Sequence, residues 1–269
     1  RGIVLNGHLD TVPPGDRALW TTDPLQPAVA DGRLYGRGAG DAKGPLAAMI
    51  LAFEALARRP RLPGRVILMA VGGEERGGLG TQAEVARGVA AEAAIVGEST
   101  GLVPMIAHKG VLRLEVEVQG KAAHASDPEL GANAVTGMAP IVAALEALGH
   151  EVRTRREPYT GQASLVVSTI AGGVALNVVP ARCVISLDRR VLPTEREEDV
   201  TAEIQAAVEG ALPAGRGLRA AVRKVRFVPP AVTDPGEAFV RVAEEAAAGV
   251  LGRPAAARGF TATCDMTYL

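Results

Sequence analysis

Three aliphatic runs early in the chain each end by delivering an acidic or imidazole side chain. The first, "GIVLN", passes through Gly7 and presents His8 and Asp10. The second, "RVILMAV" at Arg65 to Val71, runs into "GGEERGG" with Glu74 and Glu75, and the third, "AAIVG" at Ala93 to Gly97, ends at Glu98. Continuous apolar runs without polar alternation predict strands buried on both faces, as in a parallel sheet covered by helices. Leu46, Met49, Ile50, Phe53 and Leu56 recur at helical spacing after Pro45, which suits the first turn of a helix. Between these elements, Val12 to Arg33 has no helical period and is rich in Pro, Asp and Gly, so it predicts a loop over the strand ends.

From Gly110 the period changes to two. "VLRLEVEVQ", Val111 to Gln119, alternates apolar and polar, the pattern of a sheet with one solvated face. A helix is expected at about Ala132 to Leu148, strands near Ser164 to Ile170 and Arg182 to Leu187, a helix over Glu195 to Ala211 and a strand from Leu218 to Phe227. The order strand, helix, strand, strand, helix, strand is the ferredoxin-like split βαβ arrangement. Glu237 to Leu251 then returns to a helix with an apolar stripe, including Phe239, Val242, Ala246 and Val250. The fold class expected is therefore α/β: a first domain, residues 1–106 and 228–269, built on a mostly parallel sheet, with an α+β domain, residues 107–227, inserted into it.

Composition narrows the function classes. With 48% hydrophobic but only 3% aromatic residues the core must be aliphatic, and 269 residues are enough for two domains. The 29 basic against 30 acidic residues leave no electrostatic footprint for nucleic acid or an anionic membrane. No run of eighteen apolar residues and no signal peptide is found, and Cys183 and Cys264 form no metal or disulfide pattern. A reducing, cytoplasmic setting is expected. Because Arg1 lies two residues before a core strand and the chain ends at Leu269 without a terminal signal, an internal piece of a longer protein is also expected.

The chemistry then rests on where the acids fall. Ligand sites of open α/β sheets lie at the carboxyl ends of strands, so His8, Glu74, Glu75 and Glu98, with Asp41 on the Gly-rich turn "GRLYGRGAGDAKGP", are candidates for a single crevice. Adjacent carboxylates after a buried strand repel one another unless a cation is near. A phosphate-binding loop does not fit the Gly-rich turn, since Lys43 is followed by Gly44 and no hydroxyl residue.

"GHLDTVP" (Gly7 to Pro13), "GRGAGDAKG" (Gly36 to Gly44), "GGEERGG" (Gly72 to Gly78) and "GES" (Gly97 to Ser99) together resemble the M20 metallopeptidases, a family of deacetylases, desuccinylases, aminoacylases and carboxypeptidases. "GKAAHAS" (Gly120 to Ser126), "GGVALNVVP" (Gly172 to Pro180) and "DRRVLP" (Asp188 to Pro193) are similar to that family's lid domain, with a slight lean to the deacetylase and desuccinylase branch. The resemblance implies a zinc-peptidase-like catalytic domain holding two Zn2+, with Co2+ or Mn2+ as alternatives that carboxylate and imidazole ligands suit equally. Asp41 would bridge the metals, His8 and Glu98 would complete one site, and Glu75 would serve the other. Glu74 would be the general base, and Asp10 would hold the His8 ring. His124 would stabilise the oxyanion across a dimer interface formed by the lid, and Asn177 and Arg190 would contact substrate. Strand alternation lets only one of Arg189 and Arg190 face the cleft, and Arg190 is preferred.

The resemblance thus implies a hydrolase of amide bonds in N-acyl amino acids or small peptides. One departure bears on it. The family supplies a histidine to the second metal well after a "GTSD" type segment; here "GFTATCDMTYL", Gly259 to Leu269, resembles that segment with Asp265 in place, and no such histidine follows. His108 and His150 match no ligand position. A non-catalytic, dimerising or ligand-binding relative that keeps the fold is the alternative.

Overall fold

The computed structural model describes residues 2–269, which form two compact units. In chain order the elements begin with β1 (Gly2–His8), β2 (Ala28–Ala30), β3 (Arg33–Tyr35), α1 (Gly44–Ala57), β4 (Arg65–Val71), α2 (Leu79–Ala86), β5 (Ala93–Val96), β6 (Met105–His108) and β7 (Gly110–Gln119). They continue with α3 (Ala134–Val152), β8 (Arg156–Glu157), β9 (Gly161–Gln162), β10 (Ser164–Gly172), β11 (Arg182–Val191), α4 (Glu197–Ala211), β12 (Arg219–Val228), β13 (Ala231–Val232), α5 (Ala238–Leu251) and β14 (Arg258–Phe260).

The first unit comprises residues 2–105, 235–257 and 264–269. At its centre β1 pairs in parallel with β4 on one side and β5 on the other. The central strand is the best covered, with Val4, Leu5, Asn6 and His8 all buried, and it carries the apolar cluster of Val4, Met69 and Val71. The edge strand β4 is less enclosed than a run of seven apolar-rich residues suggests: only Met69 and Val71 are buried. On α1, Leu46 and Met49 turn inward, while Ile50, expected in the same stripe, is 38% exposed. All three strands point their carboxyl ends the same way, which puts the residues that follow them at one edge of the sheet.

The second unit spans residues 106–234 and 258–263. Its sheet has the order β10-β11-β7-β12 and is antiparallel throughout. Numbered within the unit this is 2-3-1-4, the ferredoxin-like order expected from the split βαβ succession. Alternation on β7 buries Leu112, Leu114, Val116 and Val118 and turns Arg113, Glu115 and Glu117 outward. The buried side joins Met138, Ile141 and Leu145 of α3 and Val200, Ile204 and Val208 of α4 in one continuous core. The segment Arg258–Thr263 groups with this unit because β14 extends the small sheet β13-β6-β14.

Two arginines side by side on β11 separate by the same alternation. Arg189 is fully buried, donates to Glu195 Oε1 at 2.5 Å and also to the Arg190 carbonyl oxygen. Arg190 lies on the opposite face, one third exposed, with its Nε 2.8 Å from Asp188 Oδ1. His108 is buried with Nδ1 2.9 Å from the Lys109 carbonyl, and His150 is exposed on α3. Cys183 and Cys264 are both buried free thiols, and burial pushes both upward in pKa, Cys264 to about 12, so neither is an available thiolate nucleophile.

Candidate metal centre

At the end of β1 the backbone delivers His8, only 2% exposed, and then breaks from the sheet. Its Nδ1 lies 2.9 Å from the Asp10 carbonyl oxygen. A carbonyl can only accept, so Nδ1 carries the proton and the lone pair of the neutral ring is on Nε2. That nitrogen sits 3.0 Å from Asp41 Oδ1 and 3.9 Å from Glu98 Oε1. His8, Asp41 and Glu98 each offer a ligand atom within 4.8 Å of the others, and among the described residues this is the group of three that fits a metal ion.

Local structure explains the convergence. Asp41 leaves the turn on extended backbone, φ −121° and ψ 100°, immediately ahead of α1, and the peptide bond after it is cis. Glu98 follows β5 directly, and the Ser99 hydroxyl donates to the Gly40 carbonyl, tying the two ligand-bearing loops together. Lys43 donates to the Leu9 carbonyl at 2.5 Å, which fixes the turn against the strand exit.

Glu74 and Glu75 sit on a single 3-10 turn after β4. Their backbone N–H groups donate to the two oxygens of Asp10, each at 3.2 Å. Burial opposes the charge on Asp10, but the N–H groups of Glu74, Gly73, Asp10 and Glu75 hold its carboxyl below the usual range. Sequence reasoning gave Asp10 the task of holding the His8 ring. Its backbone oxygen makes that contact, its carboxylate lies 3.6 Å from Nδ1, and the carboxylate's hydrogen bonds instead anchor the Glu74 turn. The Glu75 carboxylate accepts from the Val12 N–H at 3.2 Å and does not join the group of His8, Asp41 and Glu98.

The electrostatics are those of a site short of positive charge. Burial first, then Glu98 and Asp265, push Glu74 up to about 8. Burial and Asp41 push Glu98 up to about 7. Burial works against a charged His8, yet the Asp10 carbonyl and the carboxylates of Glu98, Glu74 and Asp41 outweigh it and raise its pKa. Beneath them runs a buried chain of donors: Asn6 Nδ2 to Thr81 Oγ1 at 2.7 Å, and Thr81 Oγ1 to Asp265 Oδ2 at 2.5 Å. Asp265 Oδ1 is buried without a hydrogen-bond partner, and burial raises the group's pKa. An Nε2 lone pair aimed at two carboxylates, beside buried acids held toward their neutral forms, fits a divalent cation with oxygen and imidazole ligands.

A family model described as peptidase family M20/M25/M40 matches residues 4–269. The chain belongs to this family. An M20 chain implies a divalent metal, and the donor set just described suits one. Among its relatives, an acetylornithine deacetylase from Pasteurella multocida is 34% identical over 212 residues, covering 76% of this chain and 54% of that protein. A succinyl-diaminopimelate desuccinylase from Caulobacter vibrioides is 31% identical over 280 residues, covering 99% of this chain and 70% of that protein. The M20 chain thus spans between about half and seven-tenths of the length of these relatives. Among solved structures, the aminopeptidase PepT from Bacillus cereus superposes with a TM-score of 0.78 at 24% identity, covering 99% of this chain and 69% of that one. This likeness supports the fold assignment.

In the second unit, two of the residues expected to meet substrate share one loop cluster. The Ala125 N–H donates to the Asn177 carbonyl at 2.9 Å, and His124 bridges Val178 in antiparallel fashion. Arg190 lies on β11, apart in sequence and on the solvated face of the sheet. Sequence reasoning missed Asn6 and Thr81, whose roles arise from contacts 75 and 184 residues apart. No helix among the described residues is long and apolar enough to cross a membrane.

Proposed function

We propose that the protein to which this chain belongs is a zinc-dependent hydrolase of amide bonds in N-acyl amino acids or small peptides. The observation that carries this reading is the convergence of the His8, Asp41 and Glu98 ligand atoms at the strand ends, beside Glu74. In this reading His8, Asp41 and Glu98 would hold one metal ion, and Asp41 with Glu75 would serve a second. When bound, the metal would polarise the scissile carbonyl and lower the pKa of the attacking water, and Zn2+, Co2+ and Mn2+ all suit such ligands.

The chain's own groups do the rest. Glu74, starting as the carboxylate, takes the proton of the attacking water and releases it to the leaving nitrogen; burial raises its affinity for that proton. Asp10 keeps the Glu74 turn in place through two backbone hydrogen bonds, so the carboxylate does not wander from the strand ends. His124 donates to the developing oxyanion, Asn177 contacts substrate, and Arg190 grips a substrate carboxylate. The names of the two curated relatives, one a deacetylase and one a desuccinylase, support an N-acyl amino acid over a longer peptide. A homodimer through the second unit belongs to the same reading, supported by edge strand β10, which exposes Val166 and Ile170.

Elemental analysis of the protein after dialysis against trace zinc, paired with turnover of a panel of N-acyl amino acids, tests the proposal. We expect at least one zinc per chain, lost in His8→Ala. A wild-type protein that retains no metal overturns it.

A further inference from the structure

We propose that Ser126 is a positioning residue that fixes the tautomer of His124, so that the imidazole presents an N–H, never a lone pair, at Nε2. The argument rests on the reading above only for what that N–H serves.

The loop bearing His124 is pinned on all sides by backbone. Lys121 and Ala132 exchange N–H to carbonyl hydrogen bonds of 2.9 Å at its base. The Val179 N–H donates to the Ala123 carbonyl at 2.8 Å, and the Ala125 N–H to the Asn177 carbonyl at 2.9 Å. Within the loop, the Asp127 N–H closes a turn onto the His124 carbonyl at 3.0 Å. The ring is therefore carried on a framework with little freedom to re-aim.

Nδ1 of His124 meets two groups of a single residue. Ser126 Oγ is 2.7 Å away, and the Ser126 backbone N–H points at the same nitrogen from 3.2 Å. A backbone N–H can only donate, so it commits Nδ1 to the accepting role, and the hydroxyl donates into the same lone pair. The neutral ring must then carry its proton on Nε2. Asp127 Oδ2 lies 3.0 Å from Ser126 Oγ and competes for the hydroxyl proton. That competition leaves the tautomer unchanged, because the backbone N–H still occupies Nδ1. No titration of the ring is needed. A donor at Nε2 suits an oxygen gaining negative charge, and it excludes His124 as a general base through that nitrogen.

The test is 15N NMR of the imidazole at a pH where a histidine is ordinarily neutral, with the His124 signals assigned by loss in His124→Gln. We expect a protonated Nε2 and an unprotonated, hydrogen-bonded Nδ1. In Ser126→Ala, which keeps the backbone N–H, the Nδ1 resonance moves as the hydroxyl contact is lost while the proton stays on Nε2, and Ser126→Thr, which keeps the hydroxyl, restores the wild-type spectrum. An Nδ1–H ring in the wild type, or a His124 spectrum unchanged in Ser126→Ala, overturns the proposal. In the active full-length protein, Ser126→Ala is expected to lower kcat about tenfold with KM within about twofold, about 1.4 kcal/mol in the transition state. The expected tautomer in a protein that hydrolyses no amide sinks the functional reading and leaves this one standing.

Discussion

Glu74 carries a division of labour that a single substitution separates. It lies beside the three convergent ligand atoms but is not among them, and burial with neighbouring acids pushes it up to about 8. Replacing its titratable carboxyl should therefore leave metal binding intact while deleting proton transfer. For Glu74→Gln we expect zinc content within error of wild type and turnover reduced by about 10²–10⁴, the range of a lost general base. Glu98→Ala takes out one ligand atom and should lose metal and turnover together. Zinc content and initial rates on the same preparations check both, and a Glu74→Gln protein at full activity removes Glu74 from the mechanism. At this scale the sequence was informative about which residue types meet and less so about which atoms. Spacing alone puts Asp10 next to His8, but only coordinates reveal that the backbone oxygen holds the ring while the carboxylate holds the Glu74 turn.

Among the elements, the glycines after β4 decide how the acids are presented. Gly78 has φ +71°, and a Cβ added there would overlap Asp265 Oδ1 and the Tyr268 ring. Gly78→Val combines left-handed strain in a β-branched residue with overpacking against the buried Asn6, Thr81 and Asp265 chain. A loss of about 2–4 kcal/mol follows from those two effects. Thermal unfolding should report the loss, and weaker zinc retention should accompany it. Element by element, the pattern of the second unit was legible because its rule is simple: β7 alternates, and its apolar positions are the buried ones. The first unit was harder. A continuous apolar run does not say whether its strand lies at the centre or the edge of a sheet, and β4, at the edge, buries only two of its residues. Helical spacing placed Ile50 in the inward stripe, yet it lies on the rim of α1, where a small rotation about the axis decides exposure. The Thr81 to Asp265 bond had no local signal at all, since its partners are 184 residues apart.

Across the molecule the two units rest on unequal cores and respond to different conditions. Among the described residues the first unit's buried apolar cluster is Val4, Met69 and Val71, whereas the second's runs through α3, α4 and the strands β7, β10 and β11, with β12 packed against it. Zinc binds only the first in the proposed reading, so zinc at a hundredfold excess over its Kd should stabilise that unit by about 2.7 kcal/mol and leave the other unmoved. The second unit has its own dependence on pH. Burial pushes Glu195 upward, but Arg189, the Leu192 N–H and Arg155 outweigh it and hold its carboxyl below the usual value. A carboxylate with a depressed folded pKa contributes fully above the unfolded value, about 4.3, and its contribution disappears as pH falls through the folded value. Arg189 is fully buried, so removing the charge opposite it strands a guanidinium in the core and should cost about 3 kcal/mol near neutral pH. We therefore expect Glu195→Gln to lower the unfolding midpoint of this unit at pH 7, and the gap to wild type to close as the pH falls below about 4.3 and through the lower folded value, where wild type loses its carboxylate charge. Urea unfolding across that pH range checks it, and a gap between the two proteins that persists unchanged at acid pH would assign the loss to packing around the substituted amide and not to the ion pair.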